Sequence, residues 1–291
     1  METGKQILQT YEERWPDLWW DKQRHFAYRA WLVTKDKIWW SRFKSTLKQT
    51  KKSIMILNRL NGQERREYGS KRPVKVFPDK SNGWDRFEVR QKYPEVKFWG
   101  DYLENLRYLS WSGVKTDWKM LDKDRLISLI RLMRKEDLIR LDPAWVVERI
   151  YDLRRFGGVD LDEGLYNWLT KYLQVGGQMK QKIKRGYFLT HVVIGESDYY
   201  LDRVDKDQWA VEELVNDFEE MMRLQVVDLM AETGVCYKIA GVEDQVDYHS
   251  LKRELRKNLN LTAGRLVRDE GDINTEEHRN IMVAMALMGW K

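Results

Sequence analysis

The side chains whose type and spacing most suggest a chemistry are cationic. Lys37, Lys44, Lys48, Lys51, Lys52 and Arg59 lie in a stretch that contains no aspartate or glutamate. At helical spacing they fall in a stripe about 100° wide beside an apolar one. A row of cations without acidic i+4 partners is suited to a polyanion, because each Lys or Arg can neutralise one phosphate and release its counterions. Arg65, Arg66, Lys71, Arg72 and Lys75 follow directly, and Lys182, Lys184 and Arg185 form a further basic patch. These fourteen positions are the candidate nucleic-acid-binding residues. A plain solvated helix face would have the same composition, and the single sign of the charge is what favours the functional reading.

Acidic side chains suggest a second chemistry. Asp198, Asp202, Asp205 and Asp207 are dense enough to supply the oxygen ligands that a two-metal nuclease would need. A solvated turn with acids favourably placed at a helix N-terminus explains them as well. No lysine or histidine motif accompanies them, so the expectation is that they do no chemistry. The phosphate-binding fingerprints GxxxxGK[ST] and GxGxxG are absent, as is HExxH. Gly195-Glu196-Ser197 starts a nucleophile elbow whose last glycine is missing, and the acidic run from Asp160 to Gly164 places its glycine one position too early for a calcium loop. The four histidines, His25, His191, His249 and His278, show no metal-ligand spacing. His191 reads as a core residue, and His25, beside Lys22, Arg24 and Arg29, as part of a basic surface. The lone Cys236 excludes a disulfide framework and a cysteine-ligated zinc site. No catalytic residue, metal or cofactor is therefore expected.

The charge is unevenly distributed. The chain has 291 residues and a formal net charge of +6, but residues 1–100 carry 23 Lys+Arg against 12 Asp+Glu, and residues 186–291 carry 12 against 21. Separation of sign along a chain points to a polyanion partner for the basic part, or to attraction between the parts in the fold. Ten of the 14 tryptophans precede residue 119. Interleaved aromatics and cations suit single-stranded nucleic acid, where bases stack on rings, although most tryptophans at helical spacing belong to a core. No run approaches the apolar length of a membrane span and the N-terminus lacks the apolar segment of a secretory leader, so a soluble intracellular protein without a membrane partner is expected.

The elements that position these residues read as helices. Apolar 3–4 spacing runs from about Thr34 or Asp36 to Leu60, with Asn61-Gly62 as its stop. Pro16 separates two earlier helices, Met1–Glu13 and Asp17–Val33. Gln63–Gly83 reads as a long basic loop, with a short strand at Val74–Phe77. Asp122–Arg134 is helical. Asp142-Pro143 caps a helix that Gly157-Gly158 closes, and Asp162 opens another. Tyr187–Ile194 and Val235–Ile239 have the composition of strands, with one long helix, Asp207–Glu232, between them. Ser250–Asn258 is a short helix. Asn274, with Glu277 three residues on, reads as a capping box for the last helix.

That last helix contains Ile281-Met282-Val283-Ala284-Met285-Ala286-Leu287-Met288, which has no polar face. It must be buried in its own core or in a partner chain. Ile281, Met282, Met285 and Met288 are the candidate self-association residues.

The expected fold is mainly α, two-lobed, with at most a two- or three-stranded β element. Residues 1–118 form a basic Trp-rich part, 119–185 a middle region packed with it, and 186–291 an acidic part. The expected function is non-catalytic binding of nucleic acid, single-stranded RNA rather than DNA because no groove-reading motif is present, in a nucleocapsid-like manner with possible homo-oligomers. An adaptor that binds proteins through helical surfaces is the alternative, and a metal-dependent nuclease using the carboxylates at 198–207 a weaker one.

Overall fold

A computed structural model describes residues 2–71, 81–114, 123–159, 167, 179–206, 208–260, 265–266 and 272–290. The fold is mainly α. The helices are α1 (Glu2–Glu13), α2 (Trp20–Thr34), α3 (Lys37–Asn58), α4 (Gly62–Ser70), α5 (Ser81–Lys92), α6 (Glu95–Trp111), α7 (Lys123–Met133), α8 (Glu136–Leu141) and α9 (Pro143–Gly157), followed by α10 (Met179–Glu196), α11 (Trp209–Asn216), α12 (Phe218–Leu224), α13 (Val227–Ala240), α14 (Tyr248–Lys257) and α15 (Glu277–Leu287). Among the described residues the β structure is one antiparallel pair, β1 (Leu259–Asn260) and β2 (Arg265–Leu266), with Leu259 opposite Leu266. None of these helices is long and apolar enough to cross a membrane.

The chain divides into two compact units, one of Met1–Leu47 with Val192–Lys291 and one of Lys48–His191, so the boundaries fall inside α3 and α10. This grouping crosses the sequence divisions at 118 and 185. Its physical reason in the first unit is α15, whose surface is apolar on every side. Ile281, Met282, Val283, Ala284, Met285 and Ala286 are fully buried. One neighbour cannot cover such a helix, and it packs against α1, α2, α13 and α14. The N-terminal helices are thereby required by the C-terminal one. Gly234 on α13 allows the close approach: a Cβ there would lie 3.0 Å from Leu251 and 3.2 Å from Ala286.

The second unit is built on α6 and α9. Phe98, Trp99, Tyr102 and Leu103 of α6 are buried, as are Val146, Val147, Ile150 and Leu153 of α9. Helix α4 lies on α6, and α8 and α7 lie on α9. The Asp142 side chain accepts a hydrogen bond from the backbone N–H of Trp145, Pro143 occupies the first turn, and Gly158, at φ 57°, closes the helix in the left-handed conformation.

Several local expectations are corrected. Gln63–Gly83 is not a loop throughout, because Asn61 starts a helix instead of ending one. Its side chain accepts from the N–H groups of Gln63 and Glu64, while Glu64 accepts from the N–H of Asn61, which completes a capping box for α4. Tyr187–Ile194 and Val235–Ile239 are helical, within α10 and α13. Both runs are buried on nearly all sides, so apolar periodicity carries no information there and β-branched content misleads. The long helix expected over Asp207–Glu232 is three helices. Asp217 ends α11, and Gln225, at φ 53°, ends α12. Asn274 does not cap α15: its Oδ1 accepts from the Trp19 N–H at 2.5 Å and its Nδ2 donates to the Asp17 carbonyl, which fastens the segment before α15 to the start of α2. The strand expected at 74–77 lies outside the described residues, as does the helix expected from Asp162 apart from residue 167, which is helical.

Candidate nucleic-acid interface and a histidine–carboxylate cluster

Helix α3 carries the basic stripe as its spacing requires. Trp39, Phe43, Thr46, Thr50, Ile54 and Leu57 are buried, whereas Lys37, Lys44, Lys48, Lys51, Lys52 and Arg59 are all exposed. None of the six forms an ion pair among the described residues. Lys44 lies over the Trp40 ring at 5.8 Å. Met55 and Ile56, in the half of α3 that belongs to the second unit, are also exposed.

The other basic candidates are used differently. Arg65 is half-buried: its Nε donates to the Leu60 carbonyl, and its guanidinium lies 5.2 Å from the Phe98 ring centroid. Arg66 pairs with Glu95 at 2.8 Å and Lys71 with Glu67 at 3.4 Å, both at the surface. Lys182, Lys184 and Arg185 are half-buried on α10, where Lys184 donates to the Arg140 carbonyl. Arg72 and Lys75 lie outside the described residues. By sequence, the second unit has 31 Lys+Arg and 19 Asp+Glu, net +12, and the first has 21 and 27, net −6. The positive charge thus belongs to the second unit rather than to the N-terminal part as such. In that unit Trp99 is buried and Trp111 and Trp145 are half-buried. Among described residues the most exposed tryptophan, Trp19, belongs to the first unit.

The four candidate self-association residues, Ile281, Met282, Met285 and Met288, are buried inside the first unit. Ser197 is also buried. Its hydroxyl donates to the Ile194 carbonyl and accepts from the Tyr200 N–H, which holds a turn in which Asp198, Tyr199 and Tyr200 all have positive φ. Asp202 and Asp205 are exposed, Asp198 is half-buried, and Asp207 lies outside the described residues.

A constellation not expected from spacing lies among α2, α13 and α15 of the first unit. Helix α2 presents Lys22, His25 and Arg29 at i, i+3 and i+7, hence on one face. Helix α13 presents Asp228 and Glu232 at i, i+4, and α15 begins with Glu277 and His278. The Oε1 of Glu277 lies 2.6 Å from His25 Nδ1, and His25 Nε2 lies 3.3 Å from His278 Nδ1. His278 Nε2 lies 3.2 Å from Glu232 Oε1 and 3.9 Å from Asp228 Oδ1. Lys22 Nζ faces the other Glu277 oxygen at 3.7 Å. The result is a line of carboxylate, imidazole, imidazole and paired carboxylates. Glu277 is fully buried, Glu232 nearly so, and His278 is 38% exposed at the outer end. Burial pushes the Glu277 carboxyl above its ordinary range, against the pull of Lys22, His278 and Arg29. His25 is therefore not part of a basic surface: it is half-buried against an acid.

A second buried network lies in the second unit. Arg107 and Arg149 hold Asp152 at 3.0 and 2.8 Å, Arg149 also contacts Glu148 at 2.5 Å, and His191 Nε2 lies 3.2 Å from Glu148. Burial alone would raise the Glu148 carboxyl, but Arg149, the His191 hydrogen bond and Arg107 outweigh it and hold it well below the usual carboxylate range. His191 Nδ1 lies 2.8 Å from the Tyr187 carbonyl, so both ring nitrogens have partners, but the ring is half-buried beside a carboxylate rather than within the apolar core.

The signal for the α2–α13–α15 constellation was available only in part. Glu232 interrupts a run in which Leu229, Met230, Ala231, Val235 and Cys236 are all buried, and a carboxylate in such a run needs a partner. The partner, His278, is 46 residues away, and His25 is 253 residues from His278. No spacing rule connects them.

No curated protein and no solved structure matches the chain. A family model described as a domain of unknown function (DUF3541) matches residues 1–291, and the chain belongs to that family.

Proposed function

We propose that the protein binds single-stranded nucleic acid, RNA in preference to DNA, without sequence readout and without catalysis, through the second unit. One observation carries this reading: Lys48, Lys51 and Lys52 on α3 and Arg59 just after its end are exposed, with no ion-pair partner among the described residues, in a unit whose sequence charge is +12. Unpaired surface cations repel one another, and a phosphate chain relieves that repulsion while releasing counterions. Exposed Met55 and Ile56 offer apolar contact for unstacked bases beside the cations. Stacking on tryptophan is not part of the proposal, because Trp99 is buried and Trp111 and Trp145 are half-buried.

Fluorescence anisotropy with a labelled single-stranded RNA, an equal DNA strand and a duplex tests the proposal. Binding tightest to single-stranded RNA and weakening steeply with salt is expected, together with a raised 260/280 absorbance ratio in low-salt preparations that high salt removes. An absence of RNA binding at low salt would refute it and favour an adaptor that binds proteins.

A further inference from the structure

We propose that Asp228, Glu232 and His278 bind one divalent first-row metal ion, with His25 and Glu277 as the outer groups that orient His278. The three ligand atoms already lie within 4.8 Å of one another. Ligand atoms held at about 2.1 Å from one ion are about 3.4 Å apart in a tetrahedral site. The His278–Glu232 separation of 3.2 Å is close to that value and the His278–Asp228 separation of 3.9 Å is near it. The remaining pair, Asp228 and Glu232, lies within 4.8 Å, so the two carboxylates draw together when an ion binds.

The outer groups give the site its direction. A metal-bound imidazole is ordinarily held by a hydrogen bond from its other ring nitrogen. Here Nδ1 of His278 is turned to His25, whose own Nδ1 is turned to the buried Glu277. With a proton on each Nδ1 the line is satisfied from Glu277 outward, and the Nε2 lone pair of His278 is left facing Glu232 and Asp228. A proton or a metal ion belongs there, to separate an imidazole lone pair from two carboxylates. His278 and Asp228 are partly exposed beside a nearly buried Glu232, so the three side chains lie at the edge of the unit. One imidazole and two carboxylates suit Mn²⁺, Fe²⁺ or Zn²⁺ rather than a soft ion. Three protein ligands leave a position for water, as in open rather than closed sites. This proposal concerns the first unit and does not depend on nucleic-acid binding by the second.

The full chain, freed of metal with a chelator and dialysed, is titrated with Zn²⁺, with Mn²⁺ followed by electron paramagnetic resonance, and with Co²⁺ followed by its visible absorption. One ion per chain is expected, with Co²⁺ bands characteristic of nitrogen and oxygen ligation. Asp228→Asn and His278→Gln should each abolish stoichiometric binding. His25→Phe, which removes the partner of His278 Nδ1 and also that of the buried Glu277, should, where circular dichroism shows it folded, keep one ion per chain but weaken it by about 10- to 100-fold. The exposed Asp202→Asn should change nothing. Circular dichroism of the metal-free variants verifies folding. If Asp228→Asn does not fold, His278→Gln, at the more exposed position, decides. A wild-type chain that binds no ion would overturn the proposal and leave a proton as the occupant of that position. Stoichiometric binding that survives in the folded His278→Gln variant would overturn it equally.

Discussion

Replacing Lys48, Lys51, Lys52 and Arg59 together by glutamine removes four exposed positive charges from α3 and the turn that follows it while leaving the buried face of the helix, including Ile54 and Leu57, untouched. Glutamine has nearly the helix propensity of lysine and arginine, and none of the four has an ion-pair partner among the described residues to lose, so the fold should survive. For a single strand, each phosphate contact contributes about 0.7 to the slope of log K against log salt, so four contacts contribute about 2.8. Between 50 and 200 mM salt, a fourfold change, that part of the slope alone is worth about a 50-fold change in affinity. Extrapolated from 1 M to 0.15 M salt, it corresponds to an affinity loss of about 200-fold for the variant. Anisotropy titrations with a labelled single strand at several salt concentrations measure both quantities. The deficit of the variant should shrink as salt rises. A variant with native circular dichroism whose slope and affinity equal those of the wild type would show that this face touches no phosphate, and the proposed function would fall with it.

Three further outcomes follow from packing and charge. Gly69→Ala should destabilise the second unit by about 1–3 kcal/mol, the ordinary range for overpacking, despite alanine's better helix propensity, because its Cβ would collide with the Pro94 carbonyl at the start of α6; a melting temperature equal to or above the wild type contradicts this packing. Ile281→Ala, in the fully buried centre of α15, should cost about 2–5 kcal/mol in chemical denaturation, and a loss below about 1 kcal/mol would mean that α15 is not core. Glu148, held below its ordinary pKa, contributes stability that is fully present above the unfolded value of about 4.3 and is lost as pH falls through its folded value. Glu148→Gln should therefore be less stable than wild type at pH 7 and lose less on acidification, whereas parallel stability–pH curves for the two proteins would show that Glu148 is not held by Arg149 and His191.

What the sequence determined by itself is local or compositional. The mainly helical class follows from apolar 3–4 spacing, and the exposed basic face of α3 follows from the 100° step of a helix applied to Lys44, Lys48, Lys51 and Lys52. The helix from Pro143 is legible because Asp142, Pro143 and Gly158 are signals within one helix. That α15 had to be buried was equally plain from its unbroken apolar run. Its own neighbours were not, since α1 and α2 lie some 250 residues earlier and only three-dimensional packing brings them to it. Tertiary contact also decided the character of α10 and α13, where burial on nearly every side erases the periodicity that separates a helix from a strand. Asn274 shows the same limit at a single residue: it has the chemistry to cap, but its partners, Trp19 and Asp17, come from more than 250 residues earlier, whereas the capping box of Asn61 with Glu64 is a local signature. The histidine–carboxylate line is the extreme case. Its geometry depends on three helices meeting, so His25, Glu232, Glu277 and His278 acquire a joint chemistry that none of them has in its own segment, and charge summed along the sequence assigns His25 to a basic surface when packing has placed it against a buried acid.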